Sequence, residues 1–73
     1  MTGPEFAALL ADAGLRQIDV GRLVAALSGL PGPDPVTVNR YTSGRRPVPA
    51  VLVALLQLYR RQTPEMRRLL LPD

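Results

Sequence analysis

The chain has 73 residues, too few for two domains, so residues 1–73 are expected to form a single unit with a thin core. It contains no cysteine and no histidine, which excludes disulfide staples, zinc knuckles and thiol catalysis and removes the commonest general base and metal ligand. All nine basic residues are arginine, and they are unevenly spread: residues 1–37 hold two arginines against four acids, residues 38–73 seven against two. A GC-rich genome would explain arginine in place of lysine. The asymmetry along the chain instead points to a face that meets a polyanion.

The hydrophobic content of 47% is that of a folded protein. Six scattered carboxylates and the lack of a Gly-rich phosphate loop give no basis for an enzyme, a cofactor or a small-molecule ligand. Glu5, Asp12, Arg16, Asp19 and Arg22 interrupt the apolar positions near the start, so no secretory signal is read there. The longest apolar run, Val48 to Leu56, contains Pro49 and is far shorter than the about 20 residues of a membrane span. A cytoplasmic protein without membrane association is expected.

In chain order, Thr2-Gly3-Pro4-Glu5 reads as a capping box. Phe6, Leu9, Leu10 and Ala13 follow at helical spacing, and Gly14 stands where a helix would end, giving a first helix at about residues 3–13. Val20, Leu23, Val24 and Leu27 repeat the spacing and predict a second helix at about 16–27. The 28–33 stretch, with two prolines and two glycines, must be a loop. Leu30, its one apolar residue, is expected to pin it to the domain. Asp34 caps a short third helix with Pro35 at its first position and Gly44 at its end. Val38 and Tyr41 are expected to face inward, with Tyr41 in the core rather than serving as a stacking platform. Val36, Thr37, Asn39 and Arg40 are expected to face outward. A fourth helix starts near Pro49 with Leu52, Leu55, Leu56 and Tyr59 as its inner stripe, and Thr63-Pro64 caps a short extra helix to about residue 70. No period-two alternation is present. The expected fold is all-α, a compact bundle of four to five helices.

Two amphipathic helices followed by a short helix with a polar outer face form a helix-turn-helix pattern. Gly14-Leu15-Arg16-Gln17 and the run Asp34-Pro35-Val36-Thr37-Val38-Asn39-Arg40-Tyr41-Thr42-Ser43-Gly44-Arg45-Arg46-Pro47 resemble the phage-repressor (Cro/cI-like, lambda-repressor-like) family across about residues 5–60. The chain departs from that family at two places. Arg16 stands where the family has a Ser or Thr cap, and the 28–33 stretch adds roughly seven residues to the family's short turn. Gly21 stands where the family prefers Ala, a small residue that lets the second and third helices approach.

The resemblance implies a sequence-specific double-stranded DNA-binding regulator, reading the major groove with its third helix. Arg40 suits guanine O6 and N7, Asn39 suits adenine, and Val36 or the Thr37 methyl suits a thymine methyl. The alternative for Val36 is burial under the longer loop. Gln17 and Arg16 at the start of the second helix, and Ser43, Arg45 and Arg46 after the third, would touch phosphate. Arg60, Arg61, Arg67 and Arg68 read as solvated charges favoured by helix C-termini.

Val51, Ala54 and Leu58 make a second apolar face on the fourth helix, and Leu69 and Leu70 add more. A homodimer through these residues, with 63–73 as a dimerisation tail, matches the paired half-sites of a palindromic operator; otherwise the tail folds back over that face. The expected biology is a small phage or mobile-element repressor, in the size range of anti-CRISPR-associated and antitoxin-type autorepressors. The alternative is a protein–protein interaction module that retains the fold without binding DNA.

Overall fold

Local sequence signals set the helix boundaries in a computed structural model that describes residues 1–72; Asp73, the end of the expected dimerisation tail, lies outside the described residues. The described chain forms five helices: α1 (Gly3–Ala13), α2 (Gln17–Ser28), α3 (Pro35–Thr42), α4 (Ala50–Arg60) and α5 (Pro64–Leu70). No strand occurs among the described residues. The all-α bundle is therefore as the sequence predicts, with α2 shifted by one residue.

Three of the helix starts are closed by a side-chain cap. Thr2 Oγ1 accepts from the Glu5 backbone N–H at 3.2 Å while the Glu5 carboxylate accepts from the Thr2 N–H at 2.9 Å, completing the box that opens α1. Asp34 accepts from the Thr37 N–H at 2.7 Å, and Pro35 occupies the first turn of α3. Thr63 caps α5 in the same way through the Met66 N–H. Gly14, Gly29 and Gly44 adopt left-handed φ values of 70°, 73° and 78°, the conformation that ends α1 and α2 and turns the chain after α3.

Phe6, Leu9, Leu10, Ala13, Leu15, Val20, Leu23, Val38, Tyr41, Leu52, Leu56 and Tyr59 form one core, with Phe6 and Tyr41 in an edge-to-face contact 5.8 Å apart. Each fully buried large apolar side chain of this kind contributes roughly 1.5–3 kcal/mol. α1 is the central packing element. It lies against α4 and α3, while α2 lies against α3 and touches α5. Gly3 allows the start of α1 to approach the end of α3 closely, since a Cβ there would sit 2.6 Å from the Thr42 carbonyl oxygen and 2.7 Å from the Gly44 nitrogen.

Two core expectations need correction. Leu27 is 47% exposed, because the last turn of α2 runs past the helices that cover Val20 and Leu23. Leu30 does not pin the loop, being 67% exposed. Backbone contact holds the loop instead. A Cβ on Gly32 would meet the Gly21 oxygen at 2.6 Å and its Cα at 2.7 Å, and one on Gly21 would run into the Pro33 carbonyl oxygen. Gly21 thus accommodates the loop rather than α3 itself. No helix among the described residues is long and apolar enough to cross a membrane.

Candidate nucleic-acid interface

On α3, the 100° step between residues sorts the side chains. Val38 and Tyr41 are buried; Val36, Asn39, Arg40 and Ser43 are exposed and share the opposite face. Val36 at 60% exposure is not covered by the loop. Thr37 departs from the expected outward set. It lies one turn before Tyr41, is half-buried, and lines a groove with Tyr41 and Pro33.

The end of α3 gathers the arginines. With Gly44 in the left-handed conformation, the chain reverses so that the backbone N–H groups of Arg45 and Arg46 both donate to the Arg40 carbonyl, at 2.9 and 3.2 Å. Three exposed arginines are thereby tied to one helical turn, and none of them makes an ion pair within 4 Å of a described residue. The Ser43 hydroxyl donates to the Arg40 carbonyl at 3.2 Å. Its hydrogen is engaged within the protein, and it would have to be released to meet a phosphate. Asp34 stands at the other end of the helix. The Thr37 backbone N–H holds the Asp34 carboxyl below the usual range, helped by the Thr37 side chain and the Arg40 charge.

The start of α2 is built around Asp19, the one buried charged residue among those described. Its carboxylate accepts from the Arg16 backbone N–H at 2.9 Å, from Arg16 Nε at 3.0 Å and Nη2 at 3.1 Å, and from Arg22 Nη1 at 3.2 Å. Hydrogen bonding from the Arg16 side chain holds the Asp19 carboxyl below its ordinary pKa against the opposing effect of burial. Arginine thus serves as the N-cap residue by letting Asp19 reach back to its N–H, while the Asp19 N–H bonds to the Arg16 carbonyl at 3.0 Å. Arg22 extends the network, donating from Nη2 to the Pro72 carbonyl at 3.0 Å. The Arg16 guanidinium, grouped by sequence with phosphate contacts, is already engaged with Asp19, although its side chain is 69% exposed. Gln17 beside it is half-buried. The Arg16-x-x-Asp19 spacing is the signal by which this cluster could have been found.

The expected self-association residues divide. Val51, Ala54, Leu58 and Leu69 are exposed, whereas Leu70 turns inward and packs against the core. Beside Val51 runs an apolar groove of about 670 Å³, walled by Val24 and Leu27 of α2, Pro31 and Pro33 of the loop, and Leu52 and Leu55 of α4. Arg60 pairs with Asp12 at 3.7 Å across α4 and α1. Among the described residues no three carboxylates gather where they could hold a metal ion. Compared with protein-family models, curated proteins and solved structures, the chain matches none of them.

Proposed function

We propose that this chain is a sequence-specific double-stranded DNA-binding transcriptional regulator, a small repressor of phage or mobile-element type in which α2 and α3 act as a helix-turn-helix unit. One observation carries the reading: the exposed face of α3 offers Asn39 and Arg40, and the turn after it draws Arg45 and Arg46 onto the Arg40 carbonyl without an ion pair to any described residue. A short helix with bidentate donors in its second half and uncommitted cations in the turn after it suits a major groove flanked by phosphates. Arg40 and Asn39 take the base edges, Val36 a thymine methyl, and Arg45 and Arg46 the backbone. Gln17 adds a contact from α2. Two copies on a palindromic site account for the apolar surface of α4.

Selection of genomic fragments with the purified protein, then footprinting, tests this. The expected result is a protected site with two-fold symmetry, whose affinity falls linearly with salt on logarithmic axes, by about 0.9 per neutralised phosphate. Failure to enrich any fragment, with no salt-sensitive binding to duplex DNA, overturns the reading. The apolar groove beside Val51 is the observation that favours the second reading, a protein–protein interaction module on the same fold.

A further inference from the structure

The apolar groove walled by the 29–34 loop does not stop at Leu55. Leu27 and Leu55 also line a second hollow of about 340 Å³ with Leu58, Tyr59, Gln62, Met66 and Leu70, so one uncharged trough follows α2 and α4 from the loop to α5. It exists because α2 packs on α3 and α4 packs on α1, while α2 and α4 are not a closely packed pair. Its sides stand well out of the core: Val51 is 82% exposed, Leu58 57%, Leu27 47% and Met66 42%. Among the described residues no arginine, aspartate or glutamate lines either hollow, in a chain with a net charge of +3.

We propose that this trough seats a second copy of the chain, and that the 29–34 loop forms its wall at the α3 end. The inference deepens the dimeric part of the reading above: it keeps Val51, Leu58 and Leu70 from the seam the sequence suggests, leaves out Leu69, and adds the α2 side and the loop. Area selects the occupant. The raised and recessed apolar side chains along the trough expose on the order of 500 Å², at the upper end for a monomer's largest patch and approaching the roughly 800 Å² per partner of a stable interface. The exposed Pro31, Gln62 and Ala54 adjoin it. A two-fold interface needs a self-complementary surface, and the trough offers both forms: Val51 and Leu58 project, while Tyr41, Leu52 and Tyr59 lie buried at its floor. Charge is consistent with this. Two copies of a cationic chain repel wherever their arginines meet, and none of the described residues lining the trough is an arginine. The extra residues between α2 and α3 thereby gain a role, since Pro31, Gly32 and Pro33 line the trough and are held there by the Gly21–Gly32 contact.

Sedimentation equilibrium of the DNA-free full chain, from about 1 to about 500 micromolar, tests the proposal independently of DNA reading. The expected species has twice the 7.9 kDa chain mass. Val51→Glu and Leu58→Glu, both at exposed positions and so compatible with folding, are each expected to weaken the dimer by about 30-fold or more, with helical content unchanged by circular dichroism. Leu69→Glu is expected to have no effect. Replacing residues 29–33 with a short glycine turn, keeping Asp34-Pro35, is expected to weaken the dimer by about 10-fold. A wild type that stays monomeric throughout overturns the proposal and assigns the trough to another partner. So does a dimer indifferent to Val51→Glu and Leu58→Glu, or one that Leu69→Glu dissociates. A loop-shortened chain that dimerises as tightly as the wild type overturns the loop's part. The Val51, Leu58 and Leu69 variants leave α3 and its flanking loop unaltered, so footprinting of single half-sites with them reports on DNA reading separately.

Discussion

The outer face of α3 and the trough between α2 and α4 are both surfaces the core does not need, and they differ in kind. α3 contributes only Val38 and Tyr41 to the interior, against five residues from α1, so most of its length is free to carry polar groups. It packs on both α1 and α2 through those two side chains, and the Asp34 cap and the Gly3 contact behind Gly44 fix its ends. α4 is anchored along its length by Leu52, Leu56 and Tyr59, and its second face is apolar. A helix that enters the core through two side chains can vary its outward ones freely. One held along a stripe exposes its surplus apolar surface in one place. The contrast separates a face suited to an anionic partner from one suited to an uncharged partner.

The largest expected effect breaks the first face and spares the second. The triple variant Arg40→Ala, Arg45→Ala, Arg46→Ala is expected to lose about 3 kcal/mol or more on the selected duplex while sedimenting as the wild type does. Arg40→Ala alone is expected to cost about 1–3 kcal/mol and relax discrimination at one base pair, whereas Arg46→Ala weakens all duplexes alike and lowers the salt slope by about 1. Equal responses of selected and random duplexes to Arg40→Ala would mean that α3 does not read sequence.

Next comes the clamp that positions both faces. A helix-interior Gly→Ala change normally stabilises by roughly 0.5–1 kcal/mol. At Gly21 the new Cβ runs into the Pro33 carbonyl, so Gly21→Ala is expected to destabilise by about 1–2 kcal/mol instead. A rise in thermal midpoint would show that the loop gives way without cost.

Asp19 provides a smaller effect with a pH signature. In the unfolded chain its carboxyl titrates near about 3.9. Arg16 lowers the folded value, so the stabilisation is complete above about pH 5 and is lost as pH falls through the folded pKa. With Arg16 and Arg22 at 69% and 43% side-chain exposure, the network is mostly screened by solvent. Asp19→Asn is therefore expected to cost about 1 kcal/mol at pH 7. Denaturant titrations of the two proteins should converge once the pH has fallen through the folded pKa; a constant gap would assign the effect to packing. Smallest of all, Leu30→Ser is expected to change stability by less than about 0.5 kcal/mol, since the side chain is 67% exposed.

The helix starts were legible because they are local: Thr2 with Glu5, Asp34 with Pro35 and Thr63 with Pro64 each carry their reason within four residues. What escaped was tertiary. Spacing shows that Val20, Leu23, Val24 and Leu27 share a stripe, but not that the bundle covers only its first turns and leaves Leu27 on the trough. Apolarity suggested Leu30 as the loop's anchor, when the contact needed an absence of side chain at Gly21 and Gly32. Thr37 was grouped with its polar neighbours by chemistry, whereas helical phase puts it beside Tyr41. On the candidate interface, Asn39, Arg40, Arg45 and Arg46 are exposed residues read from the sequence. The Asp19 network that already engages Arg16 was not read from it, although its i,i+3 spacing was in view.

The Gly3 contact has a consequence for spacing. α1 begins against the turn that carries Arg45 and Arg46, and Asp12 in its last turn pairs with Arg60 of α4. Its 11 residues make a rod of about 16 Å between those two points. A rod of this length works as a strut: it fixes the offset of α4, and with it the trough, from the end of α3. In a dimer seated on that trough, the two reading helices would be separated by a distance that no flexible linker sets. An operator with one base pair inserted between its half-sites would rotate the second half-site by about a tenth of a turn. A rigid strut leaves the protein no slack with which to follow it.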